Sequence, residues 1–128
     1  MKANDFVRER GWGYVIGVVT SWKNKNPHLV VCVDSNTVIH IEELKNLVDA
    51  WEIVKKAGGL KEAKQAVMGN LLNASYYMQG GSYFRYGSIG VKVVRDGEYK
   101  EYYGGLDSTK LVHLDYLPKA IGLVESCQ

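Results

Sequence analysis

The sequence predicts a single α+β domain over residues 1–128, with a helix hairpin packed on a small antiparallel sheet and closed by a short C-terminal helix. Three observations lead there. A run of helical period begins at Glu42, stops at Gly58-Gly59 and resumes at Leu60. Asp96-Gly97 stands between two strand-like runs, as a two-residue hairpin turn does. The chain of 128 residues, 46% hydrophobic and 23% charged, is long enough for one core and short for two.

At the start, Asn4 and Asp5 are helix-capping residue types, and Trp12, Val15, Ile16, Val19 and Trp22 recur at steps of three and four, so one helix is expected. Gly11, Gly13 and Gly17, each costing about 1 kcal/mol relative to alanine inside a helix, oppose it, as do the β-branched residues between Val15 and Thr20. Lys23 to Pro27 reads as a polar loop. The apolar runs His28–Val33 and Thr37–Ile41, separated by Asp34-Ser35-Asn36, read as a β-hairpin.

Leu44, Leu47, Val48, Trp51 and Val54 then line one helix face, and Leu60, Ala63, Val67, Leu71, Ala74 and Met78 line a second, giving an expected helix hairpin from about Glu42 to Met78. After Gln79-Gly80-Gly81 the chain becomes aromatic and β-like. A turn at Asp96-Gly97 sets Arg95 against Glu98, Val94 against Tyr99, Lys92 against Glu101 and Val91 against Tyr102, so opposite charges and apolar partners meet across the strands. Gly104-Gly105 ends that unit, Lys110–Leu114 reads as a last strand, and Asp115-Tyr116-Leu117-Pro118 opens a helix running to about Glu125. Val38–Leu44 and Leu111–Leu117 share the pattern apolar-apolar-His-apolar-acid-x-Leu at expected strand-to-helix junctions, where the acid suits the helix start. Convergent packing of two similar junctions is a simpler account than duplication.

The charge of +2, from 16 basic and 14 acidic side chains, is too even for a dedicated polyanion binder. Met1-Lys2-Ala3-Asn4-Asp5 has no apolar signal core, and no apolar run approaches the roughly 20 residues of a membrane span, so a cytoplasmic protein with no membrane association is expected. Cys32 in an apolar run and Cys127 near the end read as two reduced thiols rather than a bridge. His40, His113 and Cys32 would make a metal site only if the two junctions met in space, and no CxxC, HxxxH or HExxH spacing supports one, so no metal or cofactor is expected. Cys32 with a histidine is the one candidate nucleophilic pair, and burial among valines would blunt the thiol. GxxxxGK[ST] is absent. The chain therefore reads as a non-enzyme.

Tyrosine is the feature that exceeds background: nine occur, eight of them from Tyr76 to Tyr116. Tyr83, Phe84, Arg85, Tyr86, Lys92, Arg95, Tyr99, Tyr102 and Tyr103 are the expected partner-binding residues. Tyrosine with arginine suits a protein interface, because it supplies large contact area with few rotamers to freeze. The same rings could stack on single-stranded bases while the cations hold phosphates, or simply cover a sheet. The protein interface is the reading adopted. A self-complementary tyrosine face would equally make a homodimer.

Asn4–Trp12, Ile41–Val54 and Ala57–Ala63 together resemble segments of small accessory proteins encoded in the early regions of lambdoid phages and enterobacterial prophages. The similarity covers about the first 70 residues and carries no catalytic motif. It implies a bacterial cytoplasm and a protein that binds host replication, transcription, recombination or defence machinery, an inhibitor of anti-CRISPR or anti-restriction type being the most concrete form.

Overall fold

The computed structural model describes residues 2–22, 30–34 and 37–128, the side chains of 31–34 and 37 excepted. The architecture is α+β: among the described residues, five helices accompany a five-stranded antiparallel sheet and a separate two-stranded hairpin.

The opening segment is two helices rather than the one expected, α1 (Ala3–Arg10) and α2 (Trp12–Ser21). Gly11 between them takes φ 82°, which ends the helical ladder. Asn4 and Asp5 do not cap it. They lie inside α1, where the Asn4 amide donates to Ser126 Oγ and Asp5 pairs with Arg8. Strands β1 (Val30–Asp34) and β2 (Thr37–His40) form the expected hairpin. Lys23–Pro27, His28 and Ser35-Asn36 lie outside the described residues, as does the side chain of Cys32.

Helix α3 (Ile41–Lys56) follows at once and buries Leu44, Leu47, Val48 and Val54, as its period requires. The second helix is shorter than expected. It is α4 (Leu60–Met68), and the chain that continues its apolar spacing is a loop followed by β3 (Tyr76–Met78). Gly69 and Asn70 stop the helix: the Asn70 side chain accepts from the Ala74 N–H at 2.7 Å and donates to the Ala74 carbonyl at 3.1 Å, closing the loop on itself. The expected hairpin is also splayed, because α3 packs chiefly on the C-terminal helix α5 (Leu117–Glu125), and α4 lies against α5 and the sheet.

The sheet adds β4 (Ser82–Tyr86), β5 (Val91–Arg95), β6 (Glu98–Glu101) and β7 (Leu111–His113) to β3, in the order β6-β5-β4-β3-β7. Asp96 and Gly97, at φ 53° and 77°, make the turn expected of their types, and the register pairs Arg95 with Glu98, Val94 with Tyr99 and Lys92 with Glu101.

Apolar side chains gather in three clusters. One joins the C-terminal half of α3 to α4, α5, Tyr77 and Val112. A second joins α1, Val15 and Ile39 to the N-terminal half of α3. The third, built on Phe84, Val93 and Leu111, lies on the sheet face turned away from the helices.

The two similar junctions differ in detail. His40 directly precedes α3, whereas His113 is separated from α5 by a turn in which its Nδ1 accepts from the Asp115 N–H at 3.2 Å. Neither helix start is capped by a side chain, but Glu42 lies in the first turn of α3, at the positive end of its dipole, whereas α5 has no acid in its first turn.

A candidate protein-binding surface

Side chains alternate across a strand, so Tyr83-Phe84-Arg85-Tyr86 cannot form one surface. On the helix-facing side, Tyr77 and Tyr83 are cross-strand neighbours, as are Val94 and Tyr99, giving an aromatic row over β3 to β6. Two residues along on the same face, Arg85 is opposite Lys92 and Lys92 opposite Glu101, giving a charged row. The other face carries Tyr76, Phe84, Tyr86, Arg95 and Tyr102. The expected set is thereby divided, and Phe84, only 3% exposed, is core rather than contact surface. Tyr102 packs edge-on against it, with ring centroids 5.4 Å apart. Tyr103, beyond the end of β6, is exposed.

Hydroxyls of the aromatic row bind it to the segment above. Tyr83 donates to the Ala66 carbonyl at 2.6 Å and Tyr99 to the Leu72 carbonyl at 2.9 Å. Tyr77 donates to Glu62 at 2.7 Å, and that carboxylate also accepts from the Gly80 N–H at 2.8 Å. Burial first, and then the Glu62 carboxylate, push the Tyr77 phenol far above the usual tyrosine range; burial raises Tyr83 as well. The Gly80 N–H and the Tyr77 hydroxyl hold Glu62 below the usual carboxylate range. Gly69 is where the sheet meets α4: a Cβ there would come within 2.9 Å of the Tyr83 hydroxyl oxygen and 3.1 Å of the Gln65 carbonyl.

This bracing gives the loop after α4 a fixed seat; Met68, at the end of α4, and Leu71, on the loop, project at 80% and 88% exposure, with Leu72 beside them. A groove of about 360 Å³ runs between the loop and the strands, lined in part by Leu71, Leu72, Tyr83 and Val94. Beside it Arg85 lies over the Tyr99 ring, 3.8 Å from its centroid. Arg85 has no carboxylate partner among the described residues, whereas Lys92 approaches Glu101 at 3.8 Å and Lys100 approaches Asp96 at 3.3 Å.

Met68, Leu71 and Leu72 escaped the sequence reading, which gave Leu71 to a buried helix stripe. The signal present was Gly69-Asn70, a common way to end a helix.

On the far face a chain of rings runs from Tyr86 through Tyr76 and His113 to Tyr116, at centroid separations of 5.4, 5.0 and 4.7 Å. Among the described residues no three side chains of His, Cys, Asp or Glu gather as metal ligands, and no helix is long and apolar enough to cross a membrane. The buried Cys127 thiol, pushed up by burial, donates to the Leu123 carbonyl at 3.4 Å. No protein-family model, curated protein or solved structure matches this chain.

Proposed function

We propose that this chain is a small binding module of the phage accessory type, which attaches to a host protein in the bacterial cytoplasm and inhibits or modulates it, an anti-defence role being the most concrete version. The observation that carries the reading is the pair of outward-pointing apolar side chains, Met68 at the last position of α4 and Leu71 on the loop that follows, which is fixed by the Asn70–Ala74 hydrogen bonds and by Tyr99. Apolar side chains held out to water on a braced segment gain by being covered, and an ordered segment loses little entropy when a partner covers it. The reading assigns the protein no catalysis and no cofactor.

Nucleic acid is the less favoured partner. Of the cations such binding would use, Lys92 and Lys100 are matched to acids and Arg95 is opposite Glu98, so a phosphate chain would meet alternating signs.

The test is capture from enterobacterial lysate with tagged wild type and Leu71→Asp, each with and without nuclease. The expected result is one stoichiometric host protein retained by wild type after nuclease and lost from the variant, while the variant's stability stays within about 0.5 kcal/mol of wild type. Recovery that depends on nucleic acid, or a partner retained equally by both proteins, would overturn the assignment. Wild type that captures only itself would replace the host complex with a homodimer.

A further inference from the structure

Resting on the protein-binding reading, we infer that the groove beside the Gly69–Leu72 loop takes an aliphatic side chain of a partner segment while Arg85 takes a carboxylate from that same segment. The partner is thus specified by chemistry as an acidic, aliphatic-bearing stretch of polypeptide.

The argument begins with spacing. Tyr99 touches both halves of the site: its hydroxyl donates to the Leu72 carbonyl at 2.9 Å, and its ring carries the Arg85 guanidinium at 3.8 Å. One tyrosine ring therefore separates the apolar groove from the cation, a distance that neighbouring side chains of one bound segment can bridge. A guanidinium stacked on a ring keeps its N–H edge free, in a fork that matches the two oxygens of a carboxylate.

Charge points the same way. Arg85 stands directly across from Lys92, and two like charges in that position repel. Glu101 approaches Lys92 at 3.8 Å and leaves Arg85 as the uncompensated member of the row. An anion placed on Arg85 completes the alternation. Arg85 is exposed, so a ligand can reach the guanidinium while it lies over Tyr99.

The surroundings favour a carboxylate on a protein over a nucleic-acid backbone. Met68, Leu71 and Leu72 offer phosphates nothing, and Glu101, in the same charged row as Arg85, disfavours a polyanion while tolerating a single carboxylate. Aliphatic contact supplies the affinity, and the Arg85 fork supplies selection and orientation.

The test is selection of a displayed library of random short peptides on wild type, Arg85→Glu, Arg85→Lys and Leu71→Asp, each first shown to be folded by circular dichroism and thermal unfolding. Wild type is expected to enrich peptides that place Asp or Glu close to Leu, Ile, Val, Phe or Met. Arg85→Glu should replace that acid preference with Lys or Arg, a change of sign that a merely structural role for Arg85 would not produce. Arg85→Lys should keep the preference and bind the selected peptide about tenfold more weakly, as expected when a two-pronged charged hydrogen bond becomes a point contact. Leu71→Asp should lose enrichment.

Apolar peptides enriched without regard to charge, and equally by Arg85→Glu, would overturn the inference while leaving a protein-binding groove in place. No enrichment on folded wild type, or enrichment indifferent to Leu71→Asp, would overturn it at the groove itself, and the lysate capture would then decide the broader reading.

Discussion

The two faces of the five-stranded sheet use the same residue type for different work. Towards the helices, Tyr77, Tyr83 and Tyr99 are ties: each ring lies near the core and each hydroxyl reaches a specific acceptor on α4 or the loop after it. On the far face, Tyr76, Tyr86 and Tyr102 meet other rings, and the cluster beneath them is small. On one face the tyrosines position a neighbouring segment; on the other they roof a satellite core. Counting tyrosines therefore says little until the face of each is known.

The comparison can be broken most severely at Phe84, the residue that roots the far-face cluster. Phe84→Ala should lower stability by about 3–5 kcal/mol in urea unfolding. A loss under 1 kcal/mol, on the order of a single hydrogen bond, would mean that this face contributes no core. A smaller effect separates the hydroxyls. Tyr83→Phe should cost about 1 kcal/mol, because the Ala66 carbonyl loses its side-chain donor, whereas Tyr76→Phe should stay within about 0.5 kcal/mol. Equal costs for the two variants would erase the distinction between ties and roof.

The third comparison is one of pH. Tyr77 and Tyr83 are held protonated in the fold, so between the unfolded tyrosine value, about 10, and their raised folded values the native state binds more protons than the unfolded one. Their stabilising contribution is complete below about pH 10 and declines as the pH rises beyond it. Tyr77→Phe should flatten that alkaline decline in a circular dichroism titration. Superimposable profiles for Tyr77→Phe and wild type would show that the buried phenol has no part in it.

Much of the fold was legible in the sequence for local reasons. Helix α3 carries an uninterrupted apolar stripe, and Asp96-Gly97 fixes a turn whose two flanks agree in charge and hydrophobicity. The errors came where a pattern persisted across a break. Leu71, Ala74 and Met78 prolong the spacing of α4, although Gly69 and Asn70 have already ended it; Leu71 is exposed, Ala74 is buried within the loop, and Met78 belongs to a strand. At the site, the aromatic segment was visible but its division was not, because which face a strand residue takes depends on register with neighbours far away in sequence. Arg85 was recognisable from its company. Its position over Tyr99 depends on β4, β5 and β6 being assembled in order.

The contact between α1 and the segment after α5 has a consequence for how the chain reaches this form. Asn4 and Arg8 both hydrogen-bond Ser126, the first through its hydroxyl and the second through its carbonyl at 2.7 Å. A bond between residues 122 apart in sequence closes nearly the whole described chain into a ring. Such closure carries a large entropic penalty until intervening structure has shortened the effective loop. The clasp is thus expected late in folding, once α1 and α5 have both packed on α3. Weakening it should speed unfolding more than it slows refolding, which makes this small polar junction a setting for the lifetime of the folded protein.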